Sequence, residues 1–331
     1  MPRVMSRALL AFVFAILAAS GVGLGATAAD ARTQPPPTDC QYQNPTTPQT
    51  LFPGVGYQAV TVVCGAQQPQ HQTLAHVLTI DIGSGSITLG SSTVVNGAFG
   101  LALPSQFLTG TKAQLAVNAN LFNANTCCHY SAAYQGLPTQ LCGWQVSGGK
   151  AQSPQGAKPA GCQADYPFNA SLVQMKDGGV RIVYSNTPQA IEWPVATAVT
   201  GSHMLVFGGK SLGPFSGSST DFFGPNARTL AGLSKDGKTL WLVTLDAATG
   251  LTLDEAAAVM LHLDAAAAIN LDGGGSSTMV QASSGGFAFL NAPADQAGNC
   301  LAPYPNAQSQ VSCERLVGTS LGVYVAGQGG R

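Results

Sequence analysis

The sequence predicts an α+β chain dominated by strands: a single large domain with a β-rich mixed sheet, several hairpins, few helices and loops pinned by disulfides. Three observations predict it. Of 331 residues, 40 are Gly and 20 are Pro, too many for sustained helical heptads. Hydrophobic residues make up 45% and charged residues only 9%, so the chain has material for a large buried core and is not of the disordered class. Its apolar residues fall in short β-branched runs separated by Gly and Asp-Gly breaks, as in hairpins. The balance of 14 Lys plus Arg against 15 Asp plus Glu has no basic block, which excludes sequence-independent nucleic-acid binding.

Residues 1–31 read as a secretory signal. Arg3 and Arg7 supply a positive start, an uncharged apolar run follows, and small-residue sites place cleavage after Ala28 or Ala31. The mature chain is therefore expected to be secreted or periplasmic, with no later segment apolar and long enough to span a membrane. All eight cysteines follow the signal: Cys40, Cys64, Cys127, Cys128, Cys142, Cys162, Cys300 and Cys313. An even count in an oxidising compartment reads as a disulfide framework. Local pairing favours Cys40–Cys64 and Cys300–Cys313, with the other four open. Residues 32–56, with six prolines, read as a linker or wrapped arm, and 57–331 as the domain.

Within that domain, Tyr57–Cys64, His76–Ile82, Ser86–Leu89 and Gln114–Val117 are expected strands. Residues 125–165 are rich in Cys, Gly and Gln and read as pinned loop. Lys176-Asp177-Gly178-Gly179 and Lys235-Asp236-Gly237-Lys238 each separate two alternating runs and predict hairpins. Thr252 and Glu255 form a capping box at the start of a helix reaching about Asp264. A buried strand, Ala266–Leu271, then runs into Asp272-Gly273-Gly274-Gly275-Ser276-Ser277-Thr278. Met279–Gln281 resumes β character, 283–312 is irregular, and Ser320–Val325 closes the fold.

Chemistry concentrates in the run from Asn270 to Thr278. Three glycines after a strand can turn the backbone so that successive N–H groups form an anion-binding nest, with Ser276, Ser277 and Thr278 adding hydroxyls. Asn270 and Asp272 alternate with Leu271, so both emerge on one face. A plain Gly-rich turn between buried strands is the competing reading. With three Glu and twelve Asp in the whole chain, candidate carboxylates form a short list. Asp246, at another strand end, is the second, with a turn role as its alternative. His71, His129, His203 and His262 read as incidental, and His76 as a solvated residue opening a strand.

The run NLDGGGSSTM closely resembles the signature of the phosphodiester glycosidase family, the "uncovering enzyme" type. Further segments resemble that family in order: His76–Asp81, Ala116–Phe122, Asn226–Thr229 with Gly232–Gly237, Leu242–Asp246, the 251–265 helix, and Glu314-Arg315 before Ser320–Val323. Ala119 and Asn120 depart from a glycine-rich pair, and 125–165 and 283–312 match no segment of it. The resemblance implies a carbohydrate phosphodiester substrate and removal of α-N-acetylglucosamine from a sugar-1-phosphate diester. A departing phosphate has a second pKa of about 6, so it needs donors and a cation more than a strong acid. Arg228 suits that cation as a planar fork, sharing the phosphate with Ser276, Ser277 and the amides of Gly273, Gly274 and Gly275. Asp272 is the expected key carboxylate. Asn118 and Asn270 are candidates for sugar hydroxyls or the N-acyl group, and Arg315 for either substrate or an ion pair with Glu314. No cofactor is implied. Two alternatives stand beside this reading: a non-catalytic protein binding exopolysaccharide or envelope glycan, and a Ca²⁺ site built from Asp272, Asn270 and the hydroxyls.

Overall fold

The computed structural model describes residues 39–328, apart from 66–69, 95–96, 130–131, 164, 186–193, 248, 294–302 and 306–310. The signal segment and Cys300 lie outside the described residues. Everything described belongs to one compact unit, Pro35–Arg331.

The strands are β1 (Cys40–Gln43), β2 (Gln49–Phe52), β3 (Val55–Cys64), β4 (His71–Asp81), β5 (Ile87–Ser91), β6 (Leu115–Asn118), β7 (Gln145–Ser147), β8 (Lys150–Ser153), β9 (Ala170–Met175), β10 (Val180–Tyr184), β11 (Val195–Gly201), β12 (His203–Phe207), β13 (Lys210–Ser211), β14 (Arg228–Leu233), β15 (Thr239–Leu245), β16 (Ala267–Asn270), β17 (Met279–Ser283), β18 (Gly286–Phe289) and β19 (Ser320–Val325). Helices α1 (Pro104–Thr111), α2 (Thr220–Phe223) and α3 (Leu253–His262) complete the frame, with two pairs of two- and three-residue strands outside it. Sheet one runs β1-β3-β4-β15-β14-β16-β12-β13 with β2 added on β3; sheet two runs β8-β7-β11-β9-β10; sheet three runs β18-β17-β6-β19-β5. The β-rich α+β class is as the sequence predicts. Pairing among these strands is antiparallel throughout rather than mixed.

Sheet one is covered on both faces. Leu78, Ile80, Ala231, Leu242 and Ile269 point to a core shared with the other two sheets, while Val77, Leu230, Val243 and Ala268 pack under α3. Double coverage explains why β14 is buried at all six positions, since a strand buried on both sides reads as an unbroken apolar run. Sheets two and three are joined by side chains. Gln174 accepts from the Leu89 amide at 2.7 Å, Thr197 donates to the Leu89 carbonyl at 2.8 Å, and Ser147 donates to the Ser91 carbonyl at 2.7 Å. These groups cover the free edge of β5, which would otherwise present unpaired backbone.

Several segments differ from the sequence reading: β7 and β8 lie within 125–165, read as pinned loop, β18 lies within 283–312, read as irregular, and β11 and β12 carried no expectation. Part of the arm, residues 40–52, is strand β1 and strand β2, both paired to β3 and largely exposed. Helix α1, starting at Pro104, was hidden by its Gly and Thr content; proline at its first turn and a cap from Gln106 start it. The Cys40–Cys64 disulfide joins residues directly opposite each other on β1 and β3. Cys142 pairs with Cys162 and Cys127 with its neighbour Cys128.

Candidate active site

At one end of sheet one the antiparallel register sets Leu245 opposite Arg228, and Leu230 opposite Asn270. Asp246 therefore leaves β15, and Asp272 leaves β16, on either side of β14. Two inter-strand steps separate the strand ends by roughly 10 Å.

The glycine-rich turn after β16 is wound tightly on itself. Gly273 donates to the Asp272 side chain at 2.9 Å, Gly274 to Ala227 O at 2.9 Å, Ser276 to Gly273 O at 3.2 Å and Ser277 to Gly274 O at 3.0 Å. Thr278 N donates to Asn118 Oδ1 at 3.1 Å. These amides are spent inside the protein, so they do not form the anion nest expected from the glycines. The glycines serve close approach instead: a Cβ on Gly273 would sit 2.8 Å from Ala227 O, and Gly274 has φ +59°.

Asn118 is the hub of this turn. Fully buried at the end of β6, it donates to Asp272 O at 2.6 Å and accepts from Thr229 Oγ1 at 2.7 Å as well as from Thr278 N. Both ends of its amide are engaged and the residue is fully buried, so it fixes the turn. Asn270 is also fully buried, donating to Ser202 Oγ at 3.0 Å and Leu271 O at 2.9 Å. Its Oδ1, with Ser276 Oγ, Ser277 Oγ, Thr278 Oγ1 and Thr244 Oγ1, is buried without a protein partner among the described residues. Buried polar atoms are nearly always satisfied in proteins, and three consecutive hydroxyls that are not, at Ser276, Ser277 and Thr278, mark the turn as a candidate site.

Arg228 departs most from its expected role. It is 1% exposed; Nε donates to Leu251 O at 3.0 Å, and Nη2 to Phe222 O and Gly224 O at 2.7 Å each. Burial pushes its pKa down to about 10 against the pull of Tyr166 and Glu255. This fork clamps three carbonyls and is not presented to a phosphate. Beside it, His203 packs among Tyr166, Phe215, Phe222 and Phe223. Burial first, and the Arg228 charge second, push its pKa down to about 4, so it is neutral. Arg315 is half-buried, with Nη1 3.8 Å from Cys127 Sγ. Glu314, expected as its ion partner, instead takes the Ser105 amide at 2.7 Å and the Ser105 hydroxyl at 2.5 Å at the start of α1. Burial raises the Glu314 pKa to about 7.

Around Asp246 the structure gathers residues that sequence reasoning missed. His76 is 5% exposed, not solvated, and its Nε2 lies 3.1 Å from Asp246 Oδ2. Its Nδ1 lies 2.8 Å from the Tyr57 hydroxyl. Asn291 stands 3.4 Å from Asp246 Oδ1 and also donates to Ser277 O at 3.1 Å while accepting from Met279 N at 2.7 Å. The signal for His76 was its phase with Leu78 and Ile80, which face the inner core. Asn291, inside a stretch read as irregular, carried no signal. Among the described residues no group of three or more His, Cys, Asp or Glu could hold a metal ion.

Comparison with solved structures gives the class first. The fold is similar to that of the zebrafish N-acetylglucosamine-1-phosphodiester alpha-N-acetylglucosaminidase catalytic domain, auto-inhibited by its pro-peptide (TM-score 0.59, 20% identity, 87% of this chain and 88% of that one). It is also similar to a hypothetical protein from Synechocystis (TM-score 0.52, 16% identity, 87% and 68%) and to a protein from Burkholderia pseudomallei (TM-score 0.52, 14% identity, 88% and 97%). At these identities the likeness is one of fold. No curated protein matches the chain. The phosphodiester glycosidase family model matches residues 142–324, and the chain belongs to that family. The match opens at Cys142, inside the stretch the sequence reading left unplaced.

Proposed function

We propose that the chain is an exported hydrolase that cleaves the C1–O bond of a sugar-1-phosphate diester of N-acetylglucosamine type. The observation that carries this is Asp272: a carboxylate at a strand end with Oδ2 enclosed by the protein, on a turn held by Asn118 and followed by the hydroxyls of Ser276, Ser277 and Thr278, which are buried without a protein partner among the described residues. Family membership supports the reaction class. The zebrafish protein's name supplies the sugar. Export rests on the apolar leader and on the three disulfides. No helix among the described residues is long and apolar enough to cross a membrane.

In this reading Asp272 faces the anomeric carbon and stabilises the positive charge that develops there as phosphate departs. Because the phosphate is a good leaving group, its stabilisation by a cation suffices in place of a strong acid. Arg315 takes that task, since Arg228 is committed to carbonyls. The test is turnover of a synthetic alkyl N-acetylglucosaminyl phosphodiester. Asp272→Asn is expected to lower kcat about 1000-fold or more with Tm unchanged, within the range for an electrostatic group at the reacting centre. Arg315→Gln is expected to lower kcat/KM by about 10–100-fold. Wild-type protein that cleaves no glycosyl phosphodiester sinks the reading.

A further inference from the structure

We propose that Asp246 is the group that accepts the proton of the attacking water, with His76, Tyr57 and Asn291 as its positioning residues. This rests on the glycosidase reading above and gives the second carboxylate a task distinct from that of Asp272.

The geometry sets each carboxylate oxygen separately. His76 Nε2 holds Asp246 Oδ2 at 3.1 Å, and Asn291 Nδ2 approaches Oδ1 at 3.4 Å. The Asp246 backbone is fixed as well: its amide donates to Leu74 O at 3.0 Å and its carbonyl accepts from Thr73 Oγ1 at 2.7 Å. The side chain nevertheless keeps 16% of its surface exposed, more than a purely internal ion pair would. Asn291 ties this carboxylate to the glycine-rich turn through Ser277 O and Met279 N. The turn carries Asp272, so the two carboxylates share one hydrogen-bonded frame.

The Tyr57 hydroxyl gives the frame two states of nearly equal hydrogen-bond content. It lies 2.8 Å from His76 Nδ1 and 3.1 Å from Leu290 O. With a neutral imidazole, Nε2–H donates to Asp246 and the Tyr57 O–H donates to Nδ1. With an imidazolium, Nδ1–H donates to the Tyr57 oxygen and the Tyr57 O–H turns to Leu290 O. With Nε2–H donating to Asp246 Oδ2 and Nδ1 held by Tyr57, the imidazole orients the carboxylate, and the proton taken up stays on Asp246 itself. Tyr57 from β3 and Asp246 from the end of β15 are the titratable groups facing His76 among the described residues; Asn291 and Leu290 O are neutral.

The step balances as follows. A water oxygen forms its bond to C1 while the C1–O bond to phosphate breaks. The bonding pair leaves on the phosphate monoester, and the water proton passes to the Asp246 carboxylate, then to solvent.

Two measurements on the full mature chain test this. Asp246→Asn, which keeps the shape of the side chain, is expected to lower kcat about 100-fold, with KM within about twofold, as for loss of a general base. His76→Gln is expected to lower kcat about 10-fold and to displace the acid limb of the pH–rate profile, which a structural role would leave in place. An active wild type whose Asp246→Asn variant keeps full kcat overturns this proposal alone. So does a His76→Gln variant whose kcat and pH–rate profile match those of the wild type. A wild type inactive on every diester overturns the glycosidase reading and this assignment with it.

Discussion

The two faces of sheet one at its reactive end invite comparison. Toward α3 stand Arg228, Asn270 and His203; toward the other sheets stand Asn118, Thr229, His76, Asp246 and Asn291. On the α3 face the charged group is buried, its donors are committed to backbone carbonyls, and the neighbouring imidazole is neutral. On the inner face a partly exposed carboxylate is held by His76, which is held in turn by Tyr57. Residue type alone suggested the opposite allocation, with the arginine as binder and the histidine as bystander. What separates the faces is access. An arginine sealed under aromatic rings acts as a brace, whereas a carboxylate at a strand end keeps a path to solvent.

The largest expected effect falls on the α3 face. Arg228→Ala leaves the carbonyls of Leu251, Phe222 and Gly224 without their donor and opens a cavity, and is expected to cost about 4 kcal/mol of stability. Urea denaturation checks it; an Arg228→Ala protein with wild-type stability and a raised KM would return Arg228 to the substrate. On the inner face, Asn118→Ala removes three hydrogen bonds and is expected to cost about 3 kcal/mol and to lower kcat, because the Asp272 turn loses its hub.

Opposed pH slopes sharpen the contrast further. His203 has an ordinary value of 6.5, pushed down to about 4. Its contribution to stability is present above pH 6.5 and is lost as pH falls toward 4. Glu314 has an ordinary value of 4.5, raised to about 7. Its contribution is present below pH 4.5 and is lost as pH rises toward 7. Between pH 4.5 and 6.5 the two slopes, each about 1.4 kcal/mol per pH unit, oppose each other. His203→Phe is expected to leave stability falling with rising pH over that window, and Glu314→Gln to leave it rising. Melting curves at half-unit steps decide it; parallel profiles for both variants would refute the assignment. The smallest effect is expected at Gly273→Ala, where the new Cβ would stand 2.8 Å from Ala227 O and the backbone must shift to admit it. A loss of about 1–2 kcal/mol should show as a lowered Tm.

Much of the fold was legible because it is written locally. The hairpin strands on either side of 176–179 and 235–238, the capped helix at Thr252 and the closing strand at Ser320 all follow from patterns a few residues long. Strand β11 and strand β12 were not legible, since Gly201 and Ser202 interrupt them and their pairing partners lie far along the chain. At the site, Asp272 and Asp246 were legible as rare carboxylates at strand ends. His76 and Asn291 were not, because what defines them is contact with residues 170 and 45 positions away.

The sequence by itself determined the strand-rich class, the helix start and the position of the glycine-rich turn, and it favoured the disulfide across Cys40 and Cys64 without fixing it. Each rests on propensity, periodicity or spacing along the chain. Only the tertiary structure decided which polar groups are spent and which remain. It turned the amides of Gly273 and Gly274 inward, sealed Arg228 against carbonyls, and drew His76 and Asn291 around Asp246. Hydrogen-bond satisfaction and burial are properties of the packed molecule, set by neighbours distant in sequence, and no residue carries them alone.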